Sequence, residues 1–104
     1  YWTSLHYACH YGHMNIIEYY IDYFKYSPNK LEIFNIQSNL GMTPLMISIV
    51  NVPNIDDRKK QILKLFVLND IVDYKLCNNK GEDLFAICKK NSLLDYLFSL
   101  LKED

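Results

Sequence analysis

The feature that most constrains the fold is a segment that recurs at an offset of 40 residues. TSLHYACHYG from residue 3 aligns with TPLMISIVNV from residue 43 and DLFAICKKNS from residue 83. Thr3, Thr43 and Asp83 coincide, and a side-chain oxygen of each can cap a helix by accepting a hydrogen bond from a first-turn amide. Pro44 follows at the first helical position, which tolerates its fixed φ and its missing N–H. Each segment is therefore predicted to begin a helix.

A second amphipathic helix is predicted in each unit. The three segments are MNIIEYYIDYF from residue 14, RKKQILKLFVL from residue 58 and SLLDYLFSLL from residue 92. Their apolar residues recur at helical spacing. Residues 35–42 and 75–82 have the Asn and Gly chemistry of tight turns that need positive φ. The repeating unit is therefore turn, helix, turn, helix.

These units resemble ankyrin repeats, whose pattern is Gly-x-Thr-Pro-Leu-His-x-Ala-Ala-x-x-Gly-His at a period of about 33. The first unit has Thr3, Leu5, His6, Ala8, Gly12 and His13 of this pattern. The second has Gly41, Thr43, Pro44 and Leu45, preceded by Asn35 at the family's asparagine. The third is degenerate and keeps Gly81. The resemblance implies an all-α ankyrin-repeat solenoid of helix-turn-helix units joined by hairpin-like loops.

The resemblance also divides the chain into units. We expect one domain with units at about 1–34, 35–74 and 75–104. The period exceeds that of the family, and the extra residues are expected as loop insertions at 25–32 and 52–57. Tyr1 stands where the family has its turn glycine, so we expect a fragment that begins inside a repeat of a longer chain.

Several side chains can be assigned to core or surface. Leu5, Leu45 and Phe85 coincide and are predicted to be buried in the first turn of their helices, and Cys9 takes a core alanine position. The lysines 59, 60 and 64 are predicted to lie on a solvated helix face, balanced by the aspartates 56 and 57. Tyr20 and Phe24 recur at core spacing, and the tyrosine run as a whole is predicted to be core, although phenol groups such as those of the tyrosines 19, 23 and 26 can also line a surface with their hydroxyls in water.

His6, Cys9, His10 and His13 raise the question of a metal or catalytic site. Four such ligands on one helix face could bind zinc tetrahedrally. The resemblance instead implies that His6 and His13 form hydrogen bonds within the turn and to the neighbouring unit. We therefore predict structural histidines and a buried thiol, with no metal and no cofactor. The chain contains no Gly-rich phosphate loop, Gly-x-Ser-x-Gly or His-Glu-x-x-His motif, and no enzymatic activity is predicted.

The composition narrows the class of partner. A net charge of −1 provides no surface field for nucleic acid. The three cysteines are odd in number and lack paired spacing, which predicts free thiols inside the cell, in the cytoplasm. No apolar run approaches the ~20 residues that span a bilayer, so direct membrane insertion is not expected. A protein partner of unknown identity is predicted, rather than a small-molecule ligand.

The resemblance implies that a partner meets the hairpin tips and the exposed face of the first helices. The residues predicted to contact it are Trp2, Tyr7, His10, Tyr11, Asn39, Leu40, Met42, Ile47, Val50, Asn51, Asn79, Lys80 and Glu82. Gln37, Ile87 and Lys90 occupy equivalent positions. The apolar and aromatic members would form one patch on the first two units, a usual mark of a partner site.

Two alternatives remain at this point. Trp2 could pack against another repeat instead of a partner. The chain as a whole could be a regulatory or scaffolding segment of a larger multidomain enzyme or membrane protein, whose activity lies outside these residues.

Overall fold

The computed structural model describes residues 2–51 and 57–102, and every regular element in these two ranges is a helix. The helices are α1 (Ser4–Tyr11), α2 (Met14–Phe24), α3 (Lys30–Phe34), α4 (Pro44–Asn51), α5 (Arg58–Leu68), α6 (Leu84–Lys90) and α7 (Leu94–Leu101). The prediction of an all-α chain is thus confirmed for the described part. Most of the 52–57 insertion lies outside the described residues.

The three predicted caps begin the three first helices. Thr3 accepts a hydrogen bond from the main-chain N–H of His6, Thr43 accepts one from Met46, and Asp83 accepts one from Ala86. These bonds satisfy first-turn amides that would otherwise lack partners. The segment that recurs in the sequence therefore marks the beginning of the first helix in each unit.

The second helices of the first two units have the predicted bounds, but that of the third unit begins later. SLLDYLFSLL was predicted to be helical from residue 92, whereas α7 begins at Leu94. Ser92 has a φ of 62°, in the left-handed region, so the helix cannot start there.

The 25–32 insertion is not entirely loop, because α3 begins within it at Lys30. The helix carries the fully buried Phe34 into the core. The ring of Phe34 meets those of Phe66 at 6.0 Å, Phe24 at 6.4 Å and Tyr20 at 6.5 Å between centroids. The prediction of a loop therefore holds for residues 25–29 and is wrong for residues 30–32, which begin α3.

The helices pack in two layers around one apolar core. The first helices α1, α4 and α6 pack in that order, and the second helices α2, α5 and α7 do the same. Leu5, Cys9 and Leu45 lie in the core as predicted. Tyr20 and Phe24 pack against it. Tyr19, Tyr23 and Tyr26 are exposed at 68%, 70% and 89%, so the prediction of core is wrong for these three.

Phe85 is only half-buried, so its assignment to the core alongside Leu5 and Leu45 is wrong. In the third unit the first helical residue, Leu84, is buried instead. Phe85 packs beside Tyr74 and Phe98, with ring centroids 5.7 Å and 6.0 Å away. The first helical position is thus buried in the second and third units, at Pro44 and Leu84, and exposed in the first, at Ser4.

Lys59 is buried, at 3% exposure, which corrects the prediction that it lies on a solvated face. Its Nζ donates to the carbonyl of Ile49 at 3.1 Å. Carbonyls in the last turn of a helix lack intrahelical partners, and a cation there also meets the negative end of the helix dipole. Burial lowers the pKa of Lys59. Lys60 and Lys64 are exposed, as predicted.

Asn35 links successive units through a buried side chain. Its amide nitrogen donates to the carbonyls of Leu31 at 2.7 Å and Ile71 at 2.9 Å, and its oxygen accepts from the N–H of Asp73 at 3.1 Å. Buried backbone groups need such partners, so this asparagine fixes the loop before α4 against the loop before α6.

Candidate functional site

Two hairpins of the same geometry lie ahead of α4 and α6. In the first, the N–H of Ser38 donates to the carbonyl of Met42 at 2.9 Å; in the second, Asn78 donates to Glu82 at 2.9 Å. Gly41 and Gly81 have φ angles of 78° and 77°, which L side chains rarely adopt. The two Asn-rich segments of the sequence are thus copies of one turn.

The second hairpin is hydrogen-bonded to the first. The main-chain N–H of Asn79 donates to the carbonyl of Leu40 at 3.0 Å, and its side-chain amide donates to that of Asn39 at 2.9 Å. Gln37 donates through Nε2 to the carbonyl of Cys77 at 2.9 Å. These bonds hold the two tips in one continuous surface.

His6 connects the first helix to the first hairpin. The main-chain N–H of Thr3 donates to its Nδ1 at 3.0 Å, so Nε2 carries the proton and donates to the carbonyl of Met42 at 3.1 Å. The imidazole is fully buried, and burial lowers its pKa, so that the neutral ring is favoured. The predicted bonds within the turn and to the next unit are confirmed for His6.

His13 differs from this prediction. It is exposed, precedes α2 without a capping side-chain bond, and places its ring 5.9 Å from that of Tyr11. His13 occupies the histidine position of the repeat pattern, but its side chain does not form the hydrogen bonds that the resemblance implied.

A cavity of about 470 Å³ opens between the hairpins and the first helices. We call it the groove. It is lined by Trp2, Ser38, Leu40, Met42, Ile47, Val50, Asn78, Asn79, Lys80, Glu82, Ile87, Lys90 and Asn91. Its volume lies within the roughly 300–1,000 Å³ typical of ligand sites in proteins.

Eight of the residues predicted to contact a partner line this groove: Trp2, Leu40, Met42, Ile47, Val50, Asn79, Lys80 and Glu82. Tyr7, His10, Tyr11 and Asn39 are not among its lining residues. The side chain of Asn51 lies outside the described part of the chain. The structure thus brings together residues that are far apart in sequence, from the start of the first unit to the third.

The groove also contains residues that the sequence reasoning missed, namely Ser38, Asn78 and Asn91. Ser38 and Asn78 occupy the same hairpin position, and each accepts main-chain hydrogen bonds through its side-chain oxygen. A Ser or Asn three residues before the turn glycine is the signal that could have identified both.

Ile47 is buried at 2% exposure, which corrects the prediction of an exposed side chain. Ile87, at the equivalent position of the third unit, is buried to the same extent, whereas Tyr7 in the first unit is 51% exposed. α4 packs against α1 and α6 packs against α4, so the first helix of the preceding unit covers this position. Ile47 therefore lies at the floor of the groove and serves mainly as core.

Trp2 packs over α1. Its ring meets that of Tyr7 edge-on at 4.9 Å and that of His10 at 5.0 Å. Aromatic pairs in this geometry contribute about 0.5–1.5 kcal/mol beyond their buried area. The half-buried Trp2 thus forms the wall of the groove at its first-unit end.

The opposite end is charged and polar. Lys90 forms an ion pair with Glu82, and the side-chain amide of Asn78 donates to the other carboxylate oxygen at 3.0 Å. The Asn78 hydrogen bond and the Lys90 ammonium hold the pKa of Glu82 below its usual range. The carboxylate is therefore ionised and fixed in position at this end.

In the cluster of His6, Cys9 and His10, the first two residues have structural roles, whereas Nδ1 of His10 is buried without a hydrogen-bond partner among the described residues. Both ring nitrogens of His6 are hydrogen-bonded, and Cys9 is fully buried. Desolvation raises the pKa of the Cys9 thiol, which opposes formation of the thiolate that a metal or a substrate would need. No group of three or more His, Cys, Asp or Glu side chains placed to hold a metal ion occurs within 2–51 and 57–102.

Comparison with known families agrees with the sequence pattern. Residues 1–30 match the family model of the ankyrin repeat, which confirms the resemblance to that family. Ankyrin repeats are in general non-catalytic domains that bind other proteins. Searches of curated proteins and of solved structures found no match to this chain. Among the described residues, no helix is long and apolar enough to cross a membrane.

Proposed function

We propose that this chain is a non-catalytic module that binds a partner protein through the groove, as the concave face of an ankyrin-type solenoid. Its three units would stack at about 1–34, 35–74 and 75–104, inside the cell and in the cytoplasm. The ankyrin match of the first unit and the shared hairpin geometry of the other two support this arrangement.

One observation carries the proposal. A single cavity collects eight residues that repeat position alone had predicted to contact a partner. Two of them, Leu40 and Val50, are apolar and exposed at 65% and 50%. Exposed apolar side chains beside a fixed polar rim are the arrangement found where proteins meet partners.

Affinity purification from the source cells, followed by mass spectrometry, tests the proposal. The bait is the wild-type chain or the double variant Leu40→Asp/Val50→Asp, which puts carboxylates into the groove at two exposed positions. The matched control is Ile36→Asp/Leu68→Asp, which alters two other apolar residues, 43% and 47% exposed, that do not line the groove. Circular dichroism establishes that all three baits are folded.

We expect a protein that the wild type and the control retain and the groove variant loses. Buried carboxylates without partners oppose association by several kcal/mol, enough to abolish retention. Retention of the same proteins by all three baits would place the binding surface elsewhere on the chain, and the groove would not be the site.

A further inference from the structure

The third-unit end of the groove carries two lysines and one glutamate, so positive charge is in excess there. We infer that the groove takes a linear segment of a partner protein in which an acidic side chain lies next to bulky apolar side chains. This inference rests on the proposed function, because it specifies the partner of the same site. Its argument comes from the hydrogen bonds and charges of the second hairpin and of α6.

Three side-chain oxygens at this end, two of Glu82 and one of Asn78, already have donors. One carboxylate oxygen of Glu82 accepts from Asn78 and the other pairs with Lys90. The side-chain oxygen of Asn78 accepts from the main-chain N–H groups of Lys80 at 2.9 Å and Glu82 at 3.0 Å. A basic side chain arriving here would therefore compete with existing bonds for every one of these oxygens.

The lysines at the same end retain donor capacity. An ammonium has three N–H donors, and Lys90 gives one of them to Glu82. Lys80 is exposed at the tip of the hairpin and acts on Glu82 through its charge. A carboxylate placed between the two ammonium groups would accept from both without displacing any of the bonds around Asn78.

The charge of the groove favours the same ligand. Its ionisable lining residues are two lysines and one glutamate, a net charge of +1, whereas the chain as a whole carries −1. Complementary charge of this kind raises the rate of encounter and selects among partners more than it adds affinity. Acidic segments are thus favoured over basic ones at this end.

The apolar part of the ligand follows from the rest of the lining. Ile47 and Ile87 form a buried floor, Met42 and Trp2 are half-buried, and Leu40 is exposed. A cavity of about 470 Å³ has room for a few side chains of a segment. Aliphatic or aromatic side chains beside the carboxylate would fill this floor and provide most of the affinity.

The test uses a random peptide library displayed on phage and selected on the whole chain. Selected peptides are synthesised, and their binding is measured by fluorescence anisotropy against the wild type and two charge variants. Lys80→Gln/Lys90→Gln removes both ammonium groups of the groove. Lys64→Gln/Lys102→Gln removes two exposed lysines elsewhere, so the net charge changes equally.

We expect peptides with Asp or Glu beside Leu, Ile or Phe, whose binding weakens with added salt. Lys80→Gln/Lys90→Gln should bind them about tenfold more weakly, since each lost exposed pair contributes up to about 1 kcal/mol. The Lys64→Gln/Lys102→Gln control should bind as the wild type does.

Three results would overturn the inference and are distinguishable. In the first, the selected peptides bind the wild type and fail to bind Leu40→Asp/Val50→Asp, but they contain no acidic residue or bind Lys80→Gln/Lys90→Gln as tightly as the wild type. The groove then binds protein but not an acidic segment. If no peptide is enriched, the inference fails, and the affinity purification decides the proposed function separately. If the enriched peptides bind Leu40→Asp/Val50→Asp as well as the wild type, both the inference and the proposed function fail.

Discussion

The main-chain nitrogen of Asn79 lies 2.8 Å from the point that a β-carbon on Gly41 would occupy. The second hairpin therefore rests directly on the turn of the first, at a distance that real β-carbons do not reach. Gly81, the equivalent glycine of the second hairpin, has nearly the same φ but open space around its β-carbon position. The two glycines thus differ in neighbours and not in backbone conformation.

This difference predicts that Gly41→Ala destabilises the chain much more than Gly81→Ala. Both variants put a β-carbon at positive φ, which costs about 1–2 kcal/mol. Only Gly41→Ala also has to push the second hairpin away, and we expect a total loss of about 3 kcal/mol or more. Free energies of unfolding from urea titration measure both. Equal losses would mean that the hairpins do not rest on each other in solution.

A second prediction uses the equivalent positions of Ile47 and Tyr7. Ile47 is buried under the preceding first helix, so Ile47→Ala should lower the free energy of unfolding by about 2–5 kcal/mol. Tyr7 is 51% exposed, and Tyr7→Ala should lower it by about 1 kcal/mol or less. Thermal or urea unfolding of the two variants measures this. A large loss for Tyr7→Ala would show that Tyr7 belongs to the core.

The buried imidazole of His6 predicts a loss of stability in mild acid. Its folded-state pKa is lowered from the ordinary value of 6.5, so the unfolded chain binds the proton first as the pH falls. Stability is therefore fully present above about pH 6.5 and decreases below it, until the pH reaches the folded-state pKa of His6. Urea unfolding between about pH 7.5 and pH 5 measures the slope.

His6→Gln serves as the variant for this prediction, with His13→Gln as its exposed control. His6→Gln should be less stable by about 1–3 kcal/mol at neutral pH, through its lost hydrogen bonds, and should show a shallower slope. His13→Gln should keep the slope of the wild type. If His6→Gln and the wild type lose stability in parallel, the imidazole is not the titrating group.

The three cysteines should differ in reactivity toward maleimide. Cys77 is exposed, whereas Cys9 and Cys88 are buried. Burial raises the pKa of Cys88 to about 12 and raises that of Cys9 as well, so few thiolates form at either. Mass spectrometry should find one label on the native chain, at Cys77, and three on the unfolded chain. Cys77→Ser should take up none while folded; rapid native labelling of Cys9 or Cys88 would contradict their burial.

Much of the helical framework could be predicted because it depends on local chemistry. Thr3, Thr43 and Asp83 each accept a bond from an amide within the same helix turn, and glycines at a fixed distance before or after a helix satisfy a local requirement for positive φ. His6 was also predictable, since the resemblance to ankyrin repeats gave its bonds to the turn and to the next unit. Such interactions span few residues or follow a known repeat.

The predictions that the structure corrected depend on contacts that the local sequence does not specify. The sequence did not distinguish Lys59 from the lysines 60 and 64, because its partner, the carbonyl of Ile49, lies in the last turn of α4. Nor did the sequence predict the positive φ of Ser92, with which α7 begins only at Leu94. The sequence did not reveal that α3 begins within the 25–32 insertion, because the partners of its Phe34, such as Phe24 and Phe66, come from other helices. For Lys59 and Phe34 a contact between elements overrode the local pattern, whereas Ser92 lies just after the end of α6, where the next N–H, that of Leu93, donates to the carbonyl of Cys88.

For the candidate site, the sequence by itself determined the repeat, the helix starts, the turn glycines and the residue types that face outward at the hairpins. Only the tertiary structure decided that Ile47 is covered while Tyr7 is exposed, that Asn79 closes on Gly41, and that Trp2 and Lys90 line the same groove. The physical reason is that burial and proximity depend on how one unit packs on the next. That packing depends on side chains 30 to 40 positions apart in the chain, as the pairs of His6 with Met42 and Asn79 with Asn39 show.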